Sequence, residues 1–287
     1  MIELASYLLH GIAVGCGFAL VASGLIIIYR VTRVVNLAQG MFAVLAGFMT
    51  ATLLDSGVPH GLAEIVGILV AAVAGTVTGI IAIGQRGTSP QASLIATLGV
   101  GIFAYAIEIL TWGDQPRSFS ALSGTLDLSE LHLPNQYLLV MGVTAATFGA
   151  LEIFLERTYH GKAMSACASN PYAAGLVGIG VVRMGLLGFT LGGALGGVAG
   201  VLLTPLAPIS YDSDMLLFVN GFAAAIVAGL RRPVLALAGG ISLGVAQALV
   251  AGYGKASYQS SLALVLALVI LVVQGARRSA LHAKEES

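Results

Sequence analysis

Long apolar runs separated by short polar breaks fill this chain almost from end to end. A helix that crosses the hydrocarbon of a bilayer needs about 20 mainly apolar residues. The runs at 5–29, 38–54, 62–84, 92–112, 136–155, 184–204, 215–230, 234–252 and 258–275 are the candidate segments. They predict an all-α transmembrane bundle of about eight to ten membrane segments. The run 215–230 is short and is expected to be a broken or partial crossing, which is tolerated where protein or a cavity surrounds it. One polar break, 157–183, is too long to be a turn and carries helix-forming residues of its own.

Basic residues concentrate on the cytoplasmic side of membrane proteins. With the N-terminus outside and strict alternation, Arg30, Arg33, Arg86, Arg157, Lys162, Arg183, Arg231, Arg232, Arg277, Arg278 and Lys284 fall inside, and Arg117 and Lys255 fall outside. Asp55, Asp114, Asp127, Glu130, Asp212 and Asp214 fall outside. This division predicts an odd number of crossings, a cytoplasmic C-terminus and a cytoplasmic 157–183 loop.

Composition agrees with a lipid environment. The chain is 57% hydrophobic and 9% charged, against about 25% charged in soluble domains. Its length suggests one transmembrane domain, 1–287. The net charge of zero argues against nucleic acid as a partner. Cys16 and Cys167 suggest neither a bridge nor a metal site. The N-terminus lacks a basic leader region, so the first run is expected to be a retained helix. P-loop, zinc-protease and nucleophile-elbow motifs are absent from the sequence. The chain is expected to carry no catalytic residues, no metal and no cofactor.

Within the runs, Gly188, Gly192, Gly196 and Gly200 recur every four residues, flanked by Gly193 and Gly197. Such a stripe lets a neighbouring backbone come close. Gly11 and Gly15, Gly75 and Gly79, and Gly240 and Gly244 repeat the spacing. Charge is nearly absent from the span centres. Glu108 and Glu152 lie near segment ends and are expected to snorkel, and His10 to sit at an interface. The uncharged polar exceptions are Asn36-Leu37-Ala38-Gln39-Gly40, Thr97 and Asn220. Asn36 and Gln39 share a helix face by spacing. These groups either hold helices together or border a path for a neutral or zwitterionic solute.

The 157–183 break reads as two short helices. The first spans Arg157 to Ser169; Asn170-Pro171 then caps and opens the second, and Gly178 stops it. A short amphipathic element of this kind fits a groove on another protein or rests on headgroups.

Gly161-Lys162-Ala163-Met164, Asn170-Pro171-Tyr172-Ala173-Ala174 and Gly178-Ile179, with the glycine-rich 194–202 stretch after them, resemble the signature of ABC-transporter permeases for branched-chain amino acids. Val35 to Gly40 is similar to that family's segment after the first helix, and Ala96 to Gly99 to its fourth helix. The resemblance runs from about Leu8 to Gln274. It implies a multi-pass permease subunit of a bacterial inner-membrane importer, working by alternating access. It further implies a second, related permease, two cytoplasmic ATPases that hydrolyse the ATP, and an external solute-binding protein. Gly161, Lys162, Asn170, Pro171, Gly178 and Ile179 would then form the ATPase-coupling element. Asn36, Gln39, Gly40, Thr97 and Asn220 would border the path. The substrate would be a branched-chain or related small amino acid. Gln39 stands where the family has histidine, Ser165 where it has arginine and Gly180 where it has asparagine. Those departures bear on the substrate rather than on coupling. The rival reading is an ATP-independent channel or facilitator, which would need no docking loop.

Overall fold

The computed structural model describes residues 2–84, 89–120, 124–128, 131–230, 232–253, 265 and 269. The ninth apolar run, 258–275, falls outside the described residues except at 265 and 269. In chain order the elements are α1 (Ile2–Thr32), α2 (Gln39–Asp55), α3 (Leu62–Ile83), α4 (Pro90–Trp112), β1 (Thr125–Leu128), β2 (Leu131–Pro134), α5 (Asn135–Arg157), α6 (Tyr159–Ser169), α7 (Pro171–Leu176), α8 (Val181–Leu203), α9 (Ser213–Val227) and α10 (Leu235–Tyr253). Among the described residues, six helices (α1, α3, α4, α5, α8 and α10) are long and apolar enough to cross a membrane. The apolar helices α2 and α9, of 17 and 15 residues, are shorter. Sequence periodicity had marked the second of these as short, but not the first. The antiparallel β1–β2 hairpin, pairing Thr125 with Pro134 and Leu128 with Leu131, lies between the apolar runs 92–112 and 136–155.

α1 is the axle of the bundle. Its 31 residues give a rod of about 46 Å at 1.5 Å per residue. A helix that is apolar on every side belongs in an interior, and Ala13 to Ile28 is almost wholly covered. α8 lies beside it, wedged against α2 and α3 as well. α4 is the opposite case: Ile95, Ile102, Phe103 and Leu110 face outward.

Small residues decide which helices meet. Gly11 and Gly15 of α1 cross Gly240 and Gly244 of α10, and a Cβ on Gly15 would stand 2.7 Å from the Gly240 carbonyl oxygen. α8 uses two edges. Gly192, Gly196 and Gly200 admit Ile28, Phe42 and the Ala43 backbone, whereas Gly193 and Gly197 face α3 at Gly75 and Ala71. Gly188, the fourth rung of the ladder, is looser: its nearest neighbour would be Met164 at 3.7 Å. The Thr76 and Thr190 hydroxyls add a 2.7 Å hydrogen bond between α3 and α8.

Two ends of the bundle are tied differently. At the 157–183 end, Arg33 donates to the Ala168 carbonyl at 2.8 Å, joining the end of α1 to α6. At the opposite end, the Arg117 backbone pairs with Ile209 in both directions at 2.8 Å, and its side chain approaches Asp55 at 3.9 Å.

The ladder makes a graded prediction. Gly196→Leu forces a side chain against Phe42, where a Cβ alone would stand 2.9 Å away, and overpacking of this kind costs about 1–3 kcal/mol. Gly188→Ala is expected to be tolerated. Thermal unfolding of the detergent-purified chain should show a clear loss for the first and little change for the second; equal behaviour would mean that α8 packs by some other face.

Candidate functional site

The polar residues that the sequence singles out fall into two separate places. The first is the link between α1 and α2. Helix α1 ends at Thr32, and Arg33 then takes a positive φ of 61° that breaks the helix. Residues 33–38 pass without helical structure to the start of α2. Asn36 pins this passage: its Oδ1 accepts from the Ala38 N–H at 3.2 Å and its Nδ2 donates to Gln39 Oε1 at 3.3 Å. Gln39 Nε2 donates onward to the Gly192 carbonyl at 2.8 Å. The Leu37 N–H donates to Thr97 Oγ1 at 3.2 Å, and that hydroxyl donates to the Leu94 carbonyl at 2.9 Å.

Asn36, Gln39 and Thr97 are therefore brought together, fully buried and bonded, joining α2, α4 and α8. The Gln39 amide fits a hollow made by Gly24, Gly192 and Gly196; a Cβ on Gly196 would stand 3.3 Å from Nε2. The glycine ladder and the amide are one feature, because the missing side chains make room for the polar one. Gly40 plays a different part. The carbonyl of Asp214, at the start of α9, lies against it and leaves no room for a side chain.

Asn220 belongs to the second place. Gln247 Nε2 donates to its Oδ1 at 2.7 Å, linking α9 and α10. Both amides are buried and line a cavity of about 240 Å³ with His10, Thr204 and Ser213. His10 itself bonds the Tyr137 hydroxyl at 3.0 Å. Gln247 was missed in the sequence, although a lone amide inside the apolar run 234–252 was a signal available to be read.

Glu108 overturns an expectation. It does not snorkel: the residue is 1% exposed, and neither carboxylate oxygen has a hydrogen-bond partner among the described residues.

The 157–183 break forms the two helices α6 and α7. Thr158 caps α6, its Oγ1 accepting from the Gly161 N–H at 3.0 Å. Gly161 is buried because α6 folds back on the end of α5, and a Cβ there would stand 2.6 Å from Leu155 Cα. Asn170 caps α7 by accepting from the Ala173 N–H at 3.0 Å, with Pro171 in the first turn. Gly178 follows with φ of 86°, a left-handed conformation that glycine adopts without strain. Ile179 is half-buried on the core and its N–H bonds the Ala174 carbonyl at 3.0 Å. Met164 and Cys167 point inward, and burial pushes the Cys167 thiol up from its ordinary range.

The outer face of this element is what sequence reasoning did not find. Tyr159, Tyr172, Leu176 and Val177 are 77%, 76%, 72% and 76% exposed, and Lys162 is exposed as well. The signature residues Gly161, Asn170, Pro171 and Gly178 shape the element; the large apolar side chains between them form its surface.

Comparison with known proteins places this architecture. Residues 7–273 match the family model described as branched-chain amino acid transport system / permease component. The probable branched-chain amino acid transport permease protein LivH of Methanocaldococcus jannaschii is 29% identical over 267 residues, covering 88% of this chain and 84% of that protein. The high-affinity branched-chain amino acid transport system permease protein LivH of Escherichia coli K12 is 27% identical over 281 residues, covering 92% and 91%. Among solved structures, PsaBC from Streptococcus pneumoniae in complex with Fab shares the fold at a TM-score of 0.52 and 15% identity, over 92% of this chain and 90% of that one. A bundle threaded by glycine ladders, with a capped two-helix element at one end and a family match over nearly its whole length, makes this chain a member of the branched-chain amino acid transport system permease family.

Proposed function

We propose that the chain is the permease subunit of an ATP-driven importer for branched-chain or related small amino acids. It works with a second, related permease, two cytoplasmic ATPases and an external solute-binding protein, and alternates access across a bacterial inner membrane. The observation that carries this reading is the exposed apolar face of α6–α7. Four large side chains stand in the open on a rigid, doubly capped element, and exposed apolar patches mark interaction sites. Seating α7 in a groove of an ATPase buries Tyr172, Leu176 and Val177, with Lys162 at the rim. Gly161, Asn170, Pro171, Gly178 and Ile179 act by holding this face in place. A channel has no need of it.

Orientation follows from charge. Arg30, Arg33, Arg157, Lys162, Arg183 and Arg232 gather at the end that carries α6 and α7, and basic residues favour the cytoplasm. The N-terminus is accordingly outside. The translocation path is bordered by Asn36, Gln39, Gly40, Thr97 and Asn220. Uncharged amides and hydroxyls suit a zwitterion that must be bound weakly enough to leave.

Two measurements check these assignments. Leu176→Asp puts a charge on the docking face without touching the core; it should abolish co-purification of the ATPases while the permease pair stays assembled, and full recovery of the ATPases would refute docking there. For the path, a cysteine placed at Asn36, in a chain whose Cys16 and Cys167 are alanine, should react with a water-soluble thiol reagent during ATP turnover and not at rest. A cysteine there that never reacts would make this cluster helix packing alone.

A further inference from the structure

Glu108 is the least explained group in the described structure. Buried polar atoms are nearly always hydrogen-bonded, and each exception calls for a cause. Here both oxygens of a carboxylate 1% exposed are unpartnered. The neighbouring ionisable group is another carboxyl, that of Asp214. Tyr105 and Tyr211 meet edge to face at 5.2 Å and hold α4 against the connection that leads into α9. The two carboxyl groups are thus kept on the same side by a contact one turn from Glu108. Ionisable residues at membrane depth rarely face lipid; they pair, or they mark a pathway.

Glu108 lines a cavity of about 540 Å³ between α2, α3 and α4 that opens on the outward face beside the exposed Ile81 and Phe103, within the range of about 300–1,000 Å³ usual for small-molecule sites. Met41 and Leu45 of α2, Val77 of α3, and Val100 and Ala104 of α4 make its walls apolar. Thr78 is the other polar lining residue, and its hydroxyl is already spent on the Ala74 carbonyl at 2.8 Å. The cavity therefore offers one unpartnered carboxyl group at an aliphatic wall.

We propose that this cavity binds a primary ammonium group carried on an aliphatic body, with Glu108 as the counter-ion. A buried carboxyl without a protein partner is complemented by a cation that donates hydrogen bonds to it and holds it ionised. A hard metal ion wants six or more oxygen ligands in this class of site, and no group of three or more metal-ligating side chains exists among the described residues. A guanidinium brings five donors, too many for a wall with one acceptor side chain. An ammonium on a branched or linear alkyl body matches both the single carboxyl group and the apolar lining. The inference rests on the amino-acid reading above for its biological ligand, since an aliphatic amino acid carries this pair of features. The ethanolamine headgroup of a lipid offers the same ammonium.

The test uses the complete transporter in phosphatidylcholine nanodiscs, without ATP, so that binding is read apart from transport. Radiolabelled isoamylamine is the probe, and 4-methylpentanoate is the control that keeps the alkyl body and lacks the ammonium. Wild type should bind isoamylamine saturably and the control should not compete. Glu108→Gln should weaken binding by about tenfold or more, and Glu108→Asp should retain part of it. Ala104→Phe, which fills the cavity and leaves Glu108 in place, should weaken it as well. Displacement by leucine identifies the solute as the source of the ammonium; displacement only by added phosphatidylethanolamine identifies the headgroup. Binding that is absent in wild type, unchanged in Glu108→Gln, or unchanged in Ala104→Phe overturns the proposal. Leucine uptake by the wild-type complex, measured separately, judges the amino-acid reading by itself.

Discussion

In lipid, apolar side chains gain little by leaving a solvent as apolar as themselves, so the bundle depends on how closely its backbones approach. That constraint explains why glycine lies where it does. α1 meets α10 through Gly11, Gly15, Gly240 and Gly244, and α8 meets α1, α2 and α3 through its two glycine edges. A single Cβ at most of these positions would collide with a neighbouring backbone or branch point. The outward faces of α3 and α4 carry no such demand and are built from large aliphatic residues instead.

The same close approach makes polar chemistry possible inside. Gln39 reaches the Gly192 carbonyl only because Gly24, Gly192 and Gly196 leave it a hollow. Asn36 and Thr97 then fix the non-helical passage between α1 and α2 by taking up the N–H groups of Ala38 and Leu37. Arg33 sits at the joint between this passage and α6, through the Ala168 carbonyl. A push on α6–α7 has a direct covalent and hydrogen-bonded route to the end of α1, and from there to the buried amides. The α6–α7 element and the polar junction are thus joined through one segment, residues 33–38.

Much of this was legible in the sequence for identifiable reasons. Apolar run length marked the helices, since hydrocarbon thickness sets a minimum. Asn170-Pro171 marked the break between α6 and α7 because capping and a fixed proline φ are local properties. The glycine spacing marked stripes. Partners were less legible, because periodicity names a face and not what covers it. Nothing in the run 234–252 says that Gln247 bonds Asn220. Glu108 was misread because its place near a helix end suggests reach to water, whereas its burial is set by the helices packed around α4. The exposed Tyr172, Leu176 and Val177 escaped notice for a related reason: in a chain so apolar, three more apolar residues stand out only once their exposure is known.

The most direct test of the account is ATP-dependent uptake by the chain reconstituted with its partner permease, ATPases and binding protein in sealed proteoliposomes. Labelled leucine should accumulate above its outside concentration only when ATP is enclosed on the α6–α7 side and the binding protein is supplied on the other. Equilibration of leucine at the same rate without ATP would contradict the account and make the protein a facilitator.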